Sequence, residues 1–281
     1  AALVYIVVDL NMTPEETLAD TTPKKTRVSI FDRMDADDGD ENTYERYEPA
    51  ETWSSEQAQE AIDDYADRNH IDTSDYPQEL VNLLSRNPET LQYVLEYPLH
   101  SGVGVEGAIS LDDEVEAGSG VPLFVQWDTR WGYKYYGRTM MGLSGCGPTC
   151  LSMVAVYLTG DTSMNPAWMA DYSTSNGYYD FDTGSGTLWT LMSEGAANLG
   201  LTAEEVPLLE EEIIAHLDRG EPLICSMGPG IFTTEGHFIV ISDYDNGYYT
   251  INDPNSIERS SRLWRFDEFS DQINGMWAYS V

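Results

Sequence analysis

A chain of 281 residues is long enough for one large or two modest domains with a buried core. Its 41% hydrophobic content, with seven Trp and eighteen Tyr, excludes a disordered polymer. A net charge of −35 excludes nucleic acid and anionic membrane surfaces as partners, and suits a protein kept soluble by charge or exposed to salt.

The acidity is not one tail: residues 1–120 hold 28 acidic and 7 basic side chains, and residues 121–281 hold 21 and 7. The opening Ala1-Ala2-Leu3-Val4-Tyr5-Ile6-Val7-Val8 reads either as a strand or as the remainder of a hydrophobic anchor or signal that preceded Ala1. Within residues 9–50, Asp35 to Glu41 form a dense acidic run. It fails as a calcium loop, because the twelfth position from Asp35 is Arg46 where a bidentate Glu is needed; a solvated loop is expected. Ser54 is a candidate cap for a helix with Ala58, Ile62 and Tyr65 at helical spacing. A second helix is expected over 77–86 with Leu80, Leu83 and Leu84 inward. Asn87-Pro88-Glu89-Thr90 then restarts a helix at Leu91. None of these helices carries a catalytic constellation, and His70 and His100 read as surface residues. Residues 101–120, with five Gly and an acidic patch, have linker composition. The expected division is an acidic, mainly helical accessory region over 1–100, a linker over 101–120 and a second domain over 121–281. The accessory region would dock on that domain, space it from a membrane or cover its cleft.

Beyond the linker, Val121 to Trp131 is an apolar, Trp-rich stretch holding Gln126. Ser144-Gly145-Cys146-Gly147-Pro148-Thr149-Cys150 then reads as a glycine turn that delivers Cys146 to the first turn of an apolar helix ending near Gly160. Unpaired N–H groups and the helix dipole at that end favour a thiolate, the nucleophilic form. Residues 171–186 lack an apolar period and are expected as a loop. Helices are expected over 187–199, with Leu188, Leu191 and Met192 inward, and over 208–217, where His216 would partner the C-terminal dipole. Residues 222–227 read as a buried strand followed by a Gly-Pro-Gly loop, and the close of the chain as a short helix and a strand. Cys150 and Cys225 fall at core positions, so three cysteines make no disulfide framework.

Two β-rich runs around Asp245-Asn246-Gly247 form a hairpin, since Asn-Gly supplies positive φ. A loop centred near Asp245 would set Asp253 directly opposite His237. Cys, His and an orienting carboxylate are the parts of an activated thiol nucleophile. The Gln126 side-chain amide, with the Cys146 N–H, is a candidate oxyanion-hole donor.

Val121 to Trp131, the Gly-Cys-Gly-Pro-Thr turn and its helix, Gly236 to Ile241, and Asn252-Asp253-Pro254 together resemble the papain-like cysteine peptidases related to bacteriocin-processing, double-glycine leader peptidases. The resemblance covers roughly 121–281 and follows the family's order. It implies Cys146 as nucleophile, His237 as general base and acid, Asp253 as orienting carboxylate, Gln126 in the oxyanion hole, a peptide or protein substrate and no cofactor. The family's leader peptidases are fused to a membrane transporter; this chain holds no Walker-type loop and no span of some twenty apolar residues, so the double-glycine substrate does not carry over. The family's habits, the acidity and the opening octet give the expectation of an extracellular or cell-surface protein.

Three rival readings use the same residues. Cys146, Cys150, Cys225 and His237 would make a Cys₃His zinc site, but Cys150 is better explained as core and the zinc site leaves Asp253 and Gln126 without roles. An idle peptide-binding module is the second, against which stands the presence of Cys, His and Asp together. An amidase or transpeptidase, with an amine instead of water as acceptor, is the third. The expected fold is α+β of the papain-like kind, with a cysteine-bearing helix and an antiparallel sheet carrying His and Asp behind a small N-terminal helical region.

Overall fold

The computed structural model describes residues 46–48, 52–101, 109–111, 115, 119–184 and 186–281. The expectations for the opening octet, the acidic run at 35–41 and most of the stretch 101–120 lie outside the described residues. Residues 47–281 belong to one compact unit.

The helices α1 (Ser55–Asn69), α2 (Gln78–Arg86), α3 (Leu91–Leu95) and α4 (Tyr97–His100) come first. Ser54 caps α1 in a reciprocal box with Gln57, and Asn87 accepts from the Glu89 N–H at the restart before α3. Ala58, Ile62, Leu80, Leu84, Tyr93 and Val94 make the core of this layer. Met140 joins that core, and Trp127, Tyr133 and Leu143 pack on it, so the helical layer shares apolar surface with the segment leading to Cys146.

Next come a short ribbon of β1 (Tyr135–Tyr136) and β2 (Thr139–Met140), α5 (Met141–Ser144), the buried helix α6 (Cys146–Thr159) and α7 (Pro166–Ser175). A second ribbon, β3 (Tyr179–Asp180) with β4 (Gly186–Thr187), precedes α8 (Glu194–Asn198). β5 (Thr202–Glu205), α9 (Glu210–Leu217), β6 (Leu223–Met227), β7 (His237–Asp245), β8 (Tyr248–Asn252), α10 (Ile257–Ser260), β9 (Leu263–Trp264), α11 (Phe266–Phe269) and β10 (Ile273–Ser280) complete the order. Six strands form one antiparallel sheet in the order β5-β10-β6-β7-β8-β9. Both faces are covered, and β7 shows how: Phe238 and Val240 join the core containing α6 and α7, while Ile239 and Ile241 join the core under α9 and α11. Alternation of side chains across a strand turns one apolar run into two cores. The architecture is α+β and papain-like, with the helix α6 laid against the antiparallel sheet.

Two local expectations differ. Residues 171–175, expected as the start of a loop, complete a helix begun at Pro166, because Asn165 accepts from the Trp168 N–H and Pro166 sits at the first helical position, where its missing N–H costs nothing. The helix expected over 187–199 is broken: β4 takes Thr187, a short 3₁₀ turn spans Trp189–Leu191, Leu188 is exposed instead of inward, and only 194–198 are α-helical. His216 lies in the last turn of α9, where a dipole partner is expected, and is buried with its Nδ1 2.7 Å from Glu221 Oε2.

Candidate active site

α6 starts on Cys146 itself. Gly145 precedes it in a non-helical conformation, Pro148 falls inside the first turn, and Gly160 closes the far end at φ 70°. The first-turn N–H groups therefore have no intrahelical acceptors. Gly147 has a steric reason to be glycine, since a Cβ there would stand 2.3 Å from Thr187 Oγ1 on β4. Gly142 has another: its Cβ would meet the Tyr93 ring and hydroxyl at 2.4 Å. Gly142→Ala is expected to destabilise the protein by about 1–3 kcal/mol through overpacking, as read from a denaturant midpoint.

His237 is the first residue of β7 and pairs with Met227 of β6. Asp253 does not stand opposite it as the sequence pattern suggests. Asn246 (φ 49°) and Gly247 (φ 89°) make a two-residue turn, Asp245 pairs with Tyr248, and an irregularity between Ile241 and Asp243 sets Ile241 against Ile251 and Val240 against Asn252. Asp253 follows the last paired residue of β8, where the chain turns back into a bridge between Asp253 and Ser256. His237 Nε2 lies 2.8 Å from Asp253 Oδ1. The Cys146 side chain is near enough to the ring to raise it, and Nδ1 is the ring nitrogen that Asp253 leaves free.

The carboxylate is fully buried and its oxygens are taken up: Oδ1 also accepts from the Asn255 N–H at 2.8 Å, and Oδ2 accepts from Arg259 Nε at 2.6 Å. Burial opposes the charged form of Asp253, yet the Arg259 guanidinium and then His237 hold its pKa down at about 2. Burial likewise opposes a charged His237, but the Asp253 carboxylate, with the help of Cys146, raises it to about 9. At neutral pH the geometry favours an imidazolium between a carboxylate and a sulfur. Arg259 was not legible in the sequence: six residues past Asp253, nothing separates it from an exposed helix arginine until the short turn of α10 folds it back.

Gln126 is buried, and its backbone N–H donates to Pro254 O at 2.7 Å, which ties it to the segment carrying Asp253. Its Nε2 donates to Gly142 O at 3.0 Å, while Oε1 is buried with no partner among the described residues. An amide nitrogen carries two N–H groups, so one remains for another acceptor. Cys150 and Cys225 are fully buried in α6 and β6, and burial pushes both thiols up. Among the described residues no three His, Cys, Asp or Glu side chains are grouped to hold a metal ion, and no helix is long and apolar enough to cross a membrane. Cys150→Ala is expected to cost on the order of 1–2 kcal/mol by leaving a cavity, and to leave the labelling of Cys146 by iodoacetamide unchanged.

The model of a family described as Peptidase_C39-like matches residues 119–280. Two solved structures are similar to the chain. The peptidase domain of Streptococcus ComA, described as a bifunctional ABC transporter involved in quorum sensing, has 20% identity and a TM-score of 0.38, with 56% of this chain and 96% of that one covered. A C39-like peptidase from Bacillus anthracis has 15% identity and a TM-score of 0.40, covering 57% of this chain and 94% of that one. No curated protein matches the chain.

Proposed function

The chain belongs to the Peptidase_C39-like family, and from that premise we propose that it is a cysteine peptidase working through Cys146, His237 and Asp253. The observation that supports this most is the arrangement of the three groups: Cys146 at the start of α6 acts on His237, whose Nε2 is 2.8 Å from a buried, ionised Asp253. In this reading the Cys146 proton already rests on His237 Nδ1 as part of an ion pair, and the thiolate attacks the carbonyl carbon of a peptide bond. Charge developing on the carbonyl oxygen is met by the Cys146 N–H and the second N–H of Gln126 Nε2. His237 returns the proton to the departing amine as the C–N bond breaks, leaving a thioester on Cys146. Water, deprotonated by His237, attacks that thioester and releases the carboxylic acid, which restores the Cys146 thiolate beside a protonated His237. Asp253 keeps the ring in the orientation that presents Nδ1 to sulfur and stabilises the imidazolium.

The test is intact-mass spectrometry after brief exposure to iodoacetamide or a peptidyl epoxide at neutral pH. Fast single labelling that maps to Cys146 and is lost in His237→Ala supports the proposal. Slow labelling indifferent to His237 overturns it.

A further inference from the structure

Residues 55–100, outside the family-matched span, reach the candidate site through one carboxylate. Glu89 lies on the turn between α2 and α3. Its Oε1 accepts from Ser256 Oγ at 2.5 Å, and its Oε2 accepts from the backbone N–H groups of Ile257 at 2.7 Å and Glu258 at 3.2 Å. Beside it, Asn87 Nδ2 donates to Asn255 O at 2.7 Å. These acceptors satisfy the start of α10, a helix of four residues. A single turn has no stability of its own, so its geometry is set by what holds its ends.

What α10 carries gives this attachment a consequence. Arg259 Nε bonds Asp253 Oδ2, and the Asp253 N–H donates to Ser260 Oγ at 2.8 Å. The Ser256 hydroxyl that donates to Glu89 in turn accepts from the Arg259 N–H at 3.1 Å. A continuous set of bonds thus runs from Glu89 through α10 to Asp253 and His237. We propose that Glu89 is a positioning residue for the Asp253–His237 pair, acting through α10, so that the helical segment 55–100 is a working part of the site. The inference rests on the proposed peptidase function. A second contact in the same direction is Tyr93 of α3, whose hydroxyl donates to Gly132 O at 3.0 Å and whose ring packs on Gly142, the residue that accepts from Gln126.

A cap that only steadied the fold would lower the melting temperature and nothing else. A positioning residue also changes the titration of His237. The charged and titratable groups facing that ring are Asp253 beyond β8 and Cys146 on α6, with Arg259 of α10 behind Asp253. Asp253 is what raises His237, so loosening Asp253 lets the histidine fall back towards its ordinary value.

The experiment follows iodoacetamide labelling of Cys146 against pH in the full chain for wild type, Glu89→Ala, Glu89→Gln and, as a destabilised control away from α10, Val81→Ala. Wild type is expected to show the inflection of His237 near pH 9. Glu89→Ala is expected to label about tenfold more slowly at neutral pH and to move that inflection downward. Glu89→Gln, which retains one oxygen for the Ile257 N–H, is expected to fall between them, and Val81→Ala to lose thermal stability without moving the inflection. A folded Glu89→Ala with wild-type rate and inflection overturns the positioning role; should that variant not fold, a wild-type profile in Glu89→Gln does the same. If wild-type Cys146 labels no faster than a His237→Ala variant, it is the peptidase reading that fails.

Discussion

Cys146→Ala is expected to abolish turnover, with a fall in kcat on the order of 10⁴ to 10⁶, while the far-ultraviolet spectrum and melting temperature stay close to wild type. The asymmetry follows from where the sulfur sits. Cys146 is only partly buried at the first position of α6, and the helix behind it is held by ten buried residues that do not depend on the thiol. Removing one sulfur atom there leaves little cavity, whereas the reaction loses the atom that forms the thioester. The other two thiols cannot substitute, because both are fully buried and held protonated. Full activity in Cys146→Ala, measured on a peptide library, would end the proposal.

Asp253→Ala is expected to damage both activity and fold. The carboxylate holds His237 on one side and Arg259 on the other, and Arg259 is largely buried, its side chain 15% exposed. Without Asp253 that guanidinium has lost its partner in a low-dielectric site, a change that costs about 3–5 kcal/mol. Asp253→Asn preserves the shape and one acceptor oxygen, which serves either the ring Nε2–H or Arg259 but not both, and loses the charge, so its activity is expected to lie between wild type and Asp253→Ala. The sign of the pH dependence separates charge from shape. His237 is raised in the folded protein from 6.5 to about 9, so its contribution to stability is fully present below the unfolded value of 6.5 and is lost as pH rises through 9. Denaturation of wild type between pH 6 and 10 is expected to show that decline, and Asp253→Asn to show it flattened.

Much of this site can be read from the chain because its parts are local. A glycine turn before an apolar helix specifies where Cys146 sits, and Asn-Gly between two β-rich runs specifies that His237 and Asp253 lie on adjoining strands. The register is harder to read, since the irregularity at Ser242 leaves no mark in a sequence that alternates well on either side of it. Gln126 joins the site through its backbone bond to Pro254, a contact between segments 128 residues apart that no spacing reveals. Glu89 and Arg259 are less legible still. Each looks like an ordinary charged residue on a helix, and only the packing of α10, which carries Arg259, between Glu89 and Asp253 gives them these partners. Residues 171–175 read as loop for a simpler reason: the Asn-Pro start signal lies before them, but the Tyr- and Ser-rich stretch itself carries no clean apolar stripe.

The place of β10 has a consequence for how the chain comes to be folded. Ile273–Ser280 is inserted between β5 and β6, strands that are made some fifty to seventy residues earlier. Until those residues have been synthesised, β5 has no neighbour and β6 shows a bare row of N–H and C=O groups on an apolar ribbon. Nascent chains of this length are therefore open to strand addition from one another, and pairing over such sequence distances is slow. The dense negative charge of the chain acts during that interval, keeping incomplete molecules apart until the last strand closes the gap.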